Sequence, residues 1–395
     1  MKRISLFLLL FLLLKATVMY SQDGHPETNF RIVPVSPNAA SLGTYGLIPT
    51  DNYVGQARIS IPIYEIDLDG KKFPIALSYH TDGTRVAQEA TWIGLGWTLQ
   101  AGGCVVRQVQ GTDDFAARGC YNLTDAPWLT NPRFEVTDQN LEKYMGYFKG
   151  DYDAEPDMFY FNAGGHSGSM YFDVLKNNRQ LNAVPTIQTQ EKVVKMVYNT
   201  SNKTWTMTDL EGYVYSFSTK EITYYFLNTI DFFQTDITRS HIFPYYNEPQ
   251  IVTAWMLDSV TSPNGGKITF SYKKESIFTP ISTTEDVISL SKIVNGQLSS
   301  QSPQYFTNKF NYNYSYSKIE QWTLSAITFE GGKVEFGTTD REDIESAETG
   351  KKVQKLSSIK VSDTAGNLIK TTMLEYKYLL SGMAATTNGY DDRLL

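Results

Sequence analysis

Apolar residues fall on alternate positions through most of this chain, and glycine-containing turns separate the alternating runs. A strand presents successive side chains to opposite faces, so a period of two buries one face and wets the other. In "ISIPIYEIDLDGKKFPIALSY", residues 59–79, Asp69-Gly70 marks a two-residue turn. That turn sets Leu68 opposite Lys71, Asp67 opposite Lys72, Ile66 opposite Phe73 and Tyr64 opposite Ile75. Ile59, Ile61 and Ile63 sit on odd positions, whereas Tyr64, Ile66 and Leu68 sit on even ones. A bulge near Tyr64 is therefore predicted, because one residue must be absorbed there.

"WIGLGWTLQAGGCVVRQVQG", residues 92–111, yields to the same arithmetic. A turn at Gly102-Gly103 pairs Ala101 with Cys104, Leu99 with Val106 and Trp97 with Gln108. Trp97, Leu99, Cys104 and Val106 then share an apolar face, opposite Thr98, Gln100 and Arg107. In this reading Gly102 and Gly103 supply positive φ, while Gly94 and Gly96 let neighbouring backbone approach. Together with Trp92, these residues are expected to build structure, not to bind a ligand.

The fold class predicted is all-β: stacked antiparallel hairpins in an extended or coiled sheet array, sandwich-like or propeller-like. The 26 tyrosines and a 13 % aromatic content suit pleated surfaces and support it. Residues 1–21, with Lys2 and Arg3 ahead of "ISLFLLLFLLL", read as a secretory signal, and no membrane span is expected after its cleavage. Residues 22–46 read as an irregular linker and 47–220 as an amino-terminal β domain. That domain carries an insertion at 116–150, in which Leu141, Tyr144, Met145 and Phe148 predict one short helix near 138–149. Residues 221–250 read as an irregular insertion, and 251–395 as a region of degenerate hairpin repeats. There, "AWMLDSVTSPNGGKITFSY" and "QWTLSAITFEGGKVEFGT" align Trp255 with Trp322, Leu257 with Leu324, Val260 with Ile327 and Phe270 with Phe336. "KLSSIKVSDTAGNLIKTTMLEYKY" follows the same plan more loosely.

A net charge of −7 with interspersed signs argues against nucleic acid, whose phosphates require a concentrated basic surface. The histidines at 25, 80, 166 and 241 lack metal-ligand spacing. "GGHSGS" resembles a nucleophile elbow around Ser167, but it fails at the last glycine and runs into a strand. Asp151, Asp153, Glu155 and Asp157 cluster oxygen ligands that would suit Ca²⁺, the alternative being a solvated turn; no other cofactor is expected. Cys104 and Cys120 can pair in an oxidising compartment or remain as buried thiols.

Four blocks carry a family resemblance: "SLGTYGLIPTDNYVGQARISIPIYEI", "FPIALSYHTDGTRVAQEATWIGLGWTLQAGGCVVRQVQG", "EPDMFYFNAGGHSGSMYFD" and "LDSVTSPNGGKITFSY". In this order they resemble the amino-terminal region of large secreted bacterial RHS/YD-repeat proteins, itself akin to the SpvB-type domain of toxin-complex B components. The resemblance implies a non-catalytic all-β module leading into a hollow shell of YD hairpins that encloses a carboxy-terminal effector. Here no run of YD repeats is present, only "GYDDRLL" at the end, so the array reads as truncated relative to that plan. Three functions compete at this stage. The first is an exported, non-enzymatic structural or delivery module, secreted or at the cell surface, with a protein partner or a downstream RHS/YD-repeat chain. The second is a glycan- or protein-binding module, for which Trp128 and Trp205 are the stacking candidates. The third is a carbohydrate-active hydrolase using an acidic pair.

Overall fold

The computed structural model describes chiefly residues 58–80, 88–116, 153–172, 194–231, 250–289 and 308–380, with shorter pieces between them. The signal, Asp151 and Trp128 lie outside the described residues.

Among the described residues the chain is mostly strand. β1 (Arg58–Leu68), β2 (Lys71–His80) and β3 (Trp97–Gln100) form a three-stranded antiparallel sheet. β1 and β2 close at Asp69-Gly70 with the predicted partners, including Ile66 with Phe73 and Tyr64 with Ile75. The register shifts between Pro62 and Tyr64, which is the bulge that the change of phase required.

A second, much larger sheet begins with β4 (Gly103–Gln108), β5 (Met158–Ala163) and β6 (His166–Tyr171). It continues through β7 (Asn182–Ala183), β8 (Thr186–Ile187), β9 (Val194–Asn199), β10 (Thr204–Asp209) and β11 (Val214–Asp231). Then come β12 (Gln250–Thr261), β13 (Lys267–Phe278) and β14 (Ser282–Ser289), while the short strands β15 (Ile293–Val294) and β16 (Gln297–Leu298) form a separate two-stranded sheet. β17 (Asn308–Phe329), β18 (Gly332–Asp340), β19 (Gln354–Asp363) and β20 (Leu368–Met373) complete the large sheet. β21 (Leu379–Leu380) and β22 (Arg393–Leu394) pair with each other.

The large sheet joins the regions 47–220 and 251–395 directly, because β12 pairs with both β4 and β11. β11 also continues to Asp231, so the first part of 221–250 is strand and not irregular. The periodic signal fades there because Glu221 and Thr223, both fully buried, face inward where apolar residues are expected. Ser36 donates its N–H to Glu221 Oε1 at 2.8 Å, and the Thr253 hydroxyl donates to the same oxygen at 3.1 Å. Ser36 belongs to the stretch that reads as linker, where residues 37–39 are helical and Ala39 is fully buried. In the 116–150 insertion, Leu141 and Met145 are helical and exposed, in keeping with the helix predicted near 138–149.

The repeats form hairpins, β12–β13, β17–β18 and β19–β20. Val260 pairs with Ile268 and Ile327 with Val334 at equivalent places. The indole N–H groups of Trp255 and Trp322 donate to the carbonyls of Lys203 and Lys220 at 2.8 and 2.7 Å. An aromatic core fills the space above: Trp205 meets Trp255 edge-on at 6.1 Å, and Phe172 stacks on Trp205 at 5.6 Å. Such contacts add specificity to the area buried.

The predicted hairpin across Gly102-Gly103 does not form, and this corrects the reading of residues 97–108. β3 pairs with β2, Leu99 opposite Leu77, while β4 enters the other sheet between β5 and β12. The glycine pair is a corner at which the chain changes sheets, a known device of packed β-structures.

Candidate functional site

The corner positions most of the residues singled out in the sequence. Gly102 has φ +104°, as a tight turn requires, but Gly103 serves a different purpose. A Cβ on Gly103 would lie 2.4 Å from the Asn162 carbonyl oxygen and 2.6 Å from the Ala163 Cβ. Close approach, not positive φ, therefore fixes glycine at 103. Gly94 and Gly96 both take positive φ, at +126° and +74°, so conformation selects both, and close approach adds to it only at Gly96, where a Cβ would lie 2.9 Å from the Tyr79 ring. Leu99 and Trp92 are buried as expected, whereas Trp97 is half-buried, its ring 5.1 Å from that of Tyr79.

We expect Gly103→Ala to cost about 1–3 kcal/mol through overpacking of the β4–β5 seam. Gly165→Ala, at φ +83° with nothing within 4 Å of the added Cβ, should show only the left-handed penalty of about 1–2 kcal/mol. Urea unfolding of the two variants separates steric from conformational cost.

A cleft of about 320 Å³ opens between the two sheets at this corner. Ile66, Phe73, Leu99 and Phe270 form its apolar walls, and Asn162 and Ser167 supply polar groups. None of its described lining residues titrates near neutral pH, so the chemistry it offers is contact and hydrogen bonding. Ser167 lies exposed in β6, and a strand there cannot form the strand-to-helix elbow of a hydrolase.

Asp151 of the acidic quartet lies outside the described residues, and among the described residues no group of His, Cys, Asp or Glu is placed to hold a metal. Asp157 is fully buried and accepts from Arg107 Nε at 2.8 Å and from Arg107 Nη2. It also accepts the backbone N–H of Gln110 at 2.7 Å and of Asp114 at 3.2 Å. Asp153 is buried beside Gly111, and Glu155 is exposed. What the sequence presents as four oxygen ligands is thus split, with Asp157 spent on an arginine.

Alternation places that arginine on the wet face, and the structure corrects this: Arg107 is 2 % exposed. Residues 103–107 of β4 are all buried, so both of its faces are covered and alternation no longer separates core from solvent. Arg107 also donates to Asp113 at 2.5 Å and lies over the rings of Phe115 and Phe159. Asp114 accepts the Asp157 N–H at 2.9 Å, and its other carboxyl oxygen is buried without a hydrogen-bond partner. Burial and the neighbouring Asp157 push the Asp114 carboxyl up to about 8. Burial raises Asp157 as well, and Arg107 opposes the rise.

Cys104 and Cys120 are buried thiols with no disulfide between them, so the bridge is not made. Burial holds Cys104 far above the usual thiol range, which makes it unreactive. Trp205 is 1 % exposed, deep in the aromatic core, which removes it as a stacking platform for sugars.

No protein-family model matches the chain, and no curated protein does. Solved structures do match. One is TcdB2-TccC3-Cdc42, at 10 % identity and TM-score 0.38 over 82 % of this chain and 14 % of that one. Another is a Photorhabdus luminescens Tc holotoxin pore, at 10 % and 0.37 over 84 % and 14 %. A third is the N-terminal domain of effector protein SpvB from Salmonella typhimurium strain LT2, at 11 % and 0.34 over 81 % and 99 %. The chain spans only 14 % of the first two. The structural neighbours are thus Tc toxin chains and the SpvB amino-terminal domain.

Proposed function

We propose that the chain is an exported, non-enzymatic β-scaffold of an RHS or toxin-complex type protein that seats a protein partner or a YD-repeat chain. The observation that carries the reading is the large sheet and its two long strands. β17 has 22 residues and β11 has 18, and they pair with each other over residues 222–231 and 311–320. At about 3.3 Å per residue, β17 spans roughly 70 Å. Strands of that length make a frame that a second polypeptide can build upon. The cleft, lined by neutral groups, and the carboxylates already engaged within the framework support a structural reading over a hydrolytic one.

The test is co-expression of the full chain with an RHS/YD-repeat polypeptide encoded beside it. A stoichiometric complex is expected, as is no turnover of glycan or ester substrates by the purified chain. Substrate turnover that tracks the purified protein would sink the proposal.

A further inference from the structure

β20 is the terminal strand of the large sheet and pairs, among the described residues, with β19 alone. The Leu374 N–H donates to the Ser357 carbonyl at 2.9 Å, and this fixes the phase of the ladder. Thr372, opposite Ile359, and Lys370, opposite Val361, are in step with Leu374 and bond to β19. The N–H and C=O groups of Thr371 and Met373 then point away from β19, toward an edge that no described strand covers. Side chains there are unusually bare: Leu368, Ile369 and Met373 are 63 %, 56 % and 68 % exposed.

Open edges are normally guarded by proline or by an outward charge. β1, whose Ile59 and Ile61 are also exposed, carries Pro62. β20 has no proline, and its one lysine turns back, Lys370 Nζ donating to the Ile63 carbonyl at 2.9 Å. The bulge in the β19–β20 ladder sits between Val361 and Ser362, so Lys370–Met373 stays regular.

The edge sequence Leu-Ile-Lys-Thr-Thr-Met-Leu, residues 368–374, complements itself when reversed. Two copies paired antiparallel about an axis at Thr371 oppose Thr371 to Thr371, Lys370 to Thr372, Ile369 to Met373 and Leu368 to Leu374. One step further, Glu375 meets Asn367, so no like charges are opposed anywhere along the seam. The hydrogen-bonding phase also fits, because the groups at the axis are those that face outward. We propose that β20 pairs with β20 of a second copy of this chain, joining two large sheets into one across a two-fold axis. The contact consumes both edges and so closes as a dimer instead of propagating. A seam this short falls below the roughly 1,000 Å² of a stable interface, so the dimer is weak and concentration-dependent.

Sedimentation of the full chain across a concentration series should show a monomer–dimer equilibrium. Thr371→Pro removes an outward N–H and leaves the β19 ladder intact, so it should weaken association at least tenfold with thermal unfolding unchanged. Thr371→Cys should form a covalent dimer on mild oxidation, since opposed Cα atoms of a hydrogen-bonded pair lie about 5.5 Å apart. Thr364→Cys, off the seam, should not. The proposal is overturned by a monomer at every concentration, by association indifferent to Thr371→Pro, or by cross-linking that favours position 364 or another protein. None of these readouts involves the partner chain, so the dimer fails or stands separately from the scaffold reading.

Discussion

Replacing Arg107 with Met is expected to lower the unfolding free energy by about 3–5 kcal/mol, enough to abolish most of a typical domain's stability. The substitution keeps an unbranched apolar stem but loses the guanidinium that lies over the rings of Phe115 and Phe159. It removes the guanidinium that Asp157, a fully buried carboxylate, accepts from, and takes a donor from Asp113. The cost is the uncompensated desolvation of the acid left behind, not the worth of the ion pair as such. Two further variants separate these causes. Arg107→Lys should recover little, because one ammonium cannot reproduce the fork that reaches Asp157 and Asp113 together. Arg107→Met combined with Asp157→Asn should recover most of the loss, since no buried charge then lacks a partner. Urea unfolding of the three variants measures each effect. A loss below about 1 kcal/mol for Arg107→Met would mean that water reaches the acid and that the cluster is not sealed.

The buried arginine also shows where legibility of the sequence ends. The bulge near Tyr64 is readable because it is a local event: a change of phase inside one hairpin has nowhere else to go. The repeat is readable because its equivalent pairings, Val260 with Ile268 and Ile327 with Val334, each lie within one hairpin. The corner at Gly102-Gly103 is not, because a glycine pair marks a change of direction but does not say which strand comes next. That choice is made by residues far away, Leu77 for β3, and Phe161 and Trp255 for β4. Arg107 escapes the pattern for a related reason. In a strand covered on both faces, alternation marks the two sides of the sheet but not which side is wet. A signal for the Arg107 cluster does exist: the run Asp113-Asp114 six residues beyond the arginine, together with Asp157, once charges embedded among aromatics are paired before any metal is considered. Asp157 cannot be told from a metal ligand because oxygen ligands and salt-bridge acceptors are the same residues in sequence. Only their partners tell them apart.

Those buried acids lead to the second large effect: the chain should be more stable in mild acid than at pH 8. Asp114 moves from 3.8 to about 8, Glu275 from 4.5 to about 7 and Glu89 from 4.5 to about 6, desolvation being the largest cause in each case. Each therefore holds a proton in the folded chain over a pH range where the unfolded chain has released it. A raised folded value gives stability that is fully present below the unfolded value and lost as pH climbs through the folded one. The acids displaced the other way, Asp67, Asp209, Glu348 and Asp363, act below about pH 4, where protonating them removes stability. The two sets bracket a maximum near pH 5 and predict a steady decline toward pH 8. Asp114→Asn isolates the largest contribution, because an amide mimics the protonated acid and still accepts the Asp157 N–H. A tenfold change in proton affinity is worth about 1.4 kcal/mol, so the variant's advantage over the parent should grow by roughly 2–4 kcal/mol between pH 5 and pH 8. Urea midpoints between about pH 4.5 and 8.5 test this directly. If the parent gains stability on going from pH 5 to pH 8, or if Asp114→Asn displaces the whole curve without changing its slope, Asp114 is not the group that retains the proton.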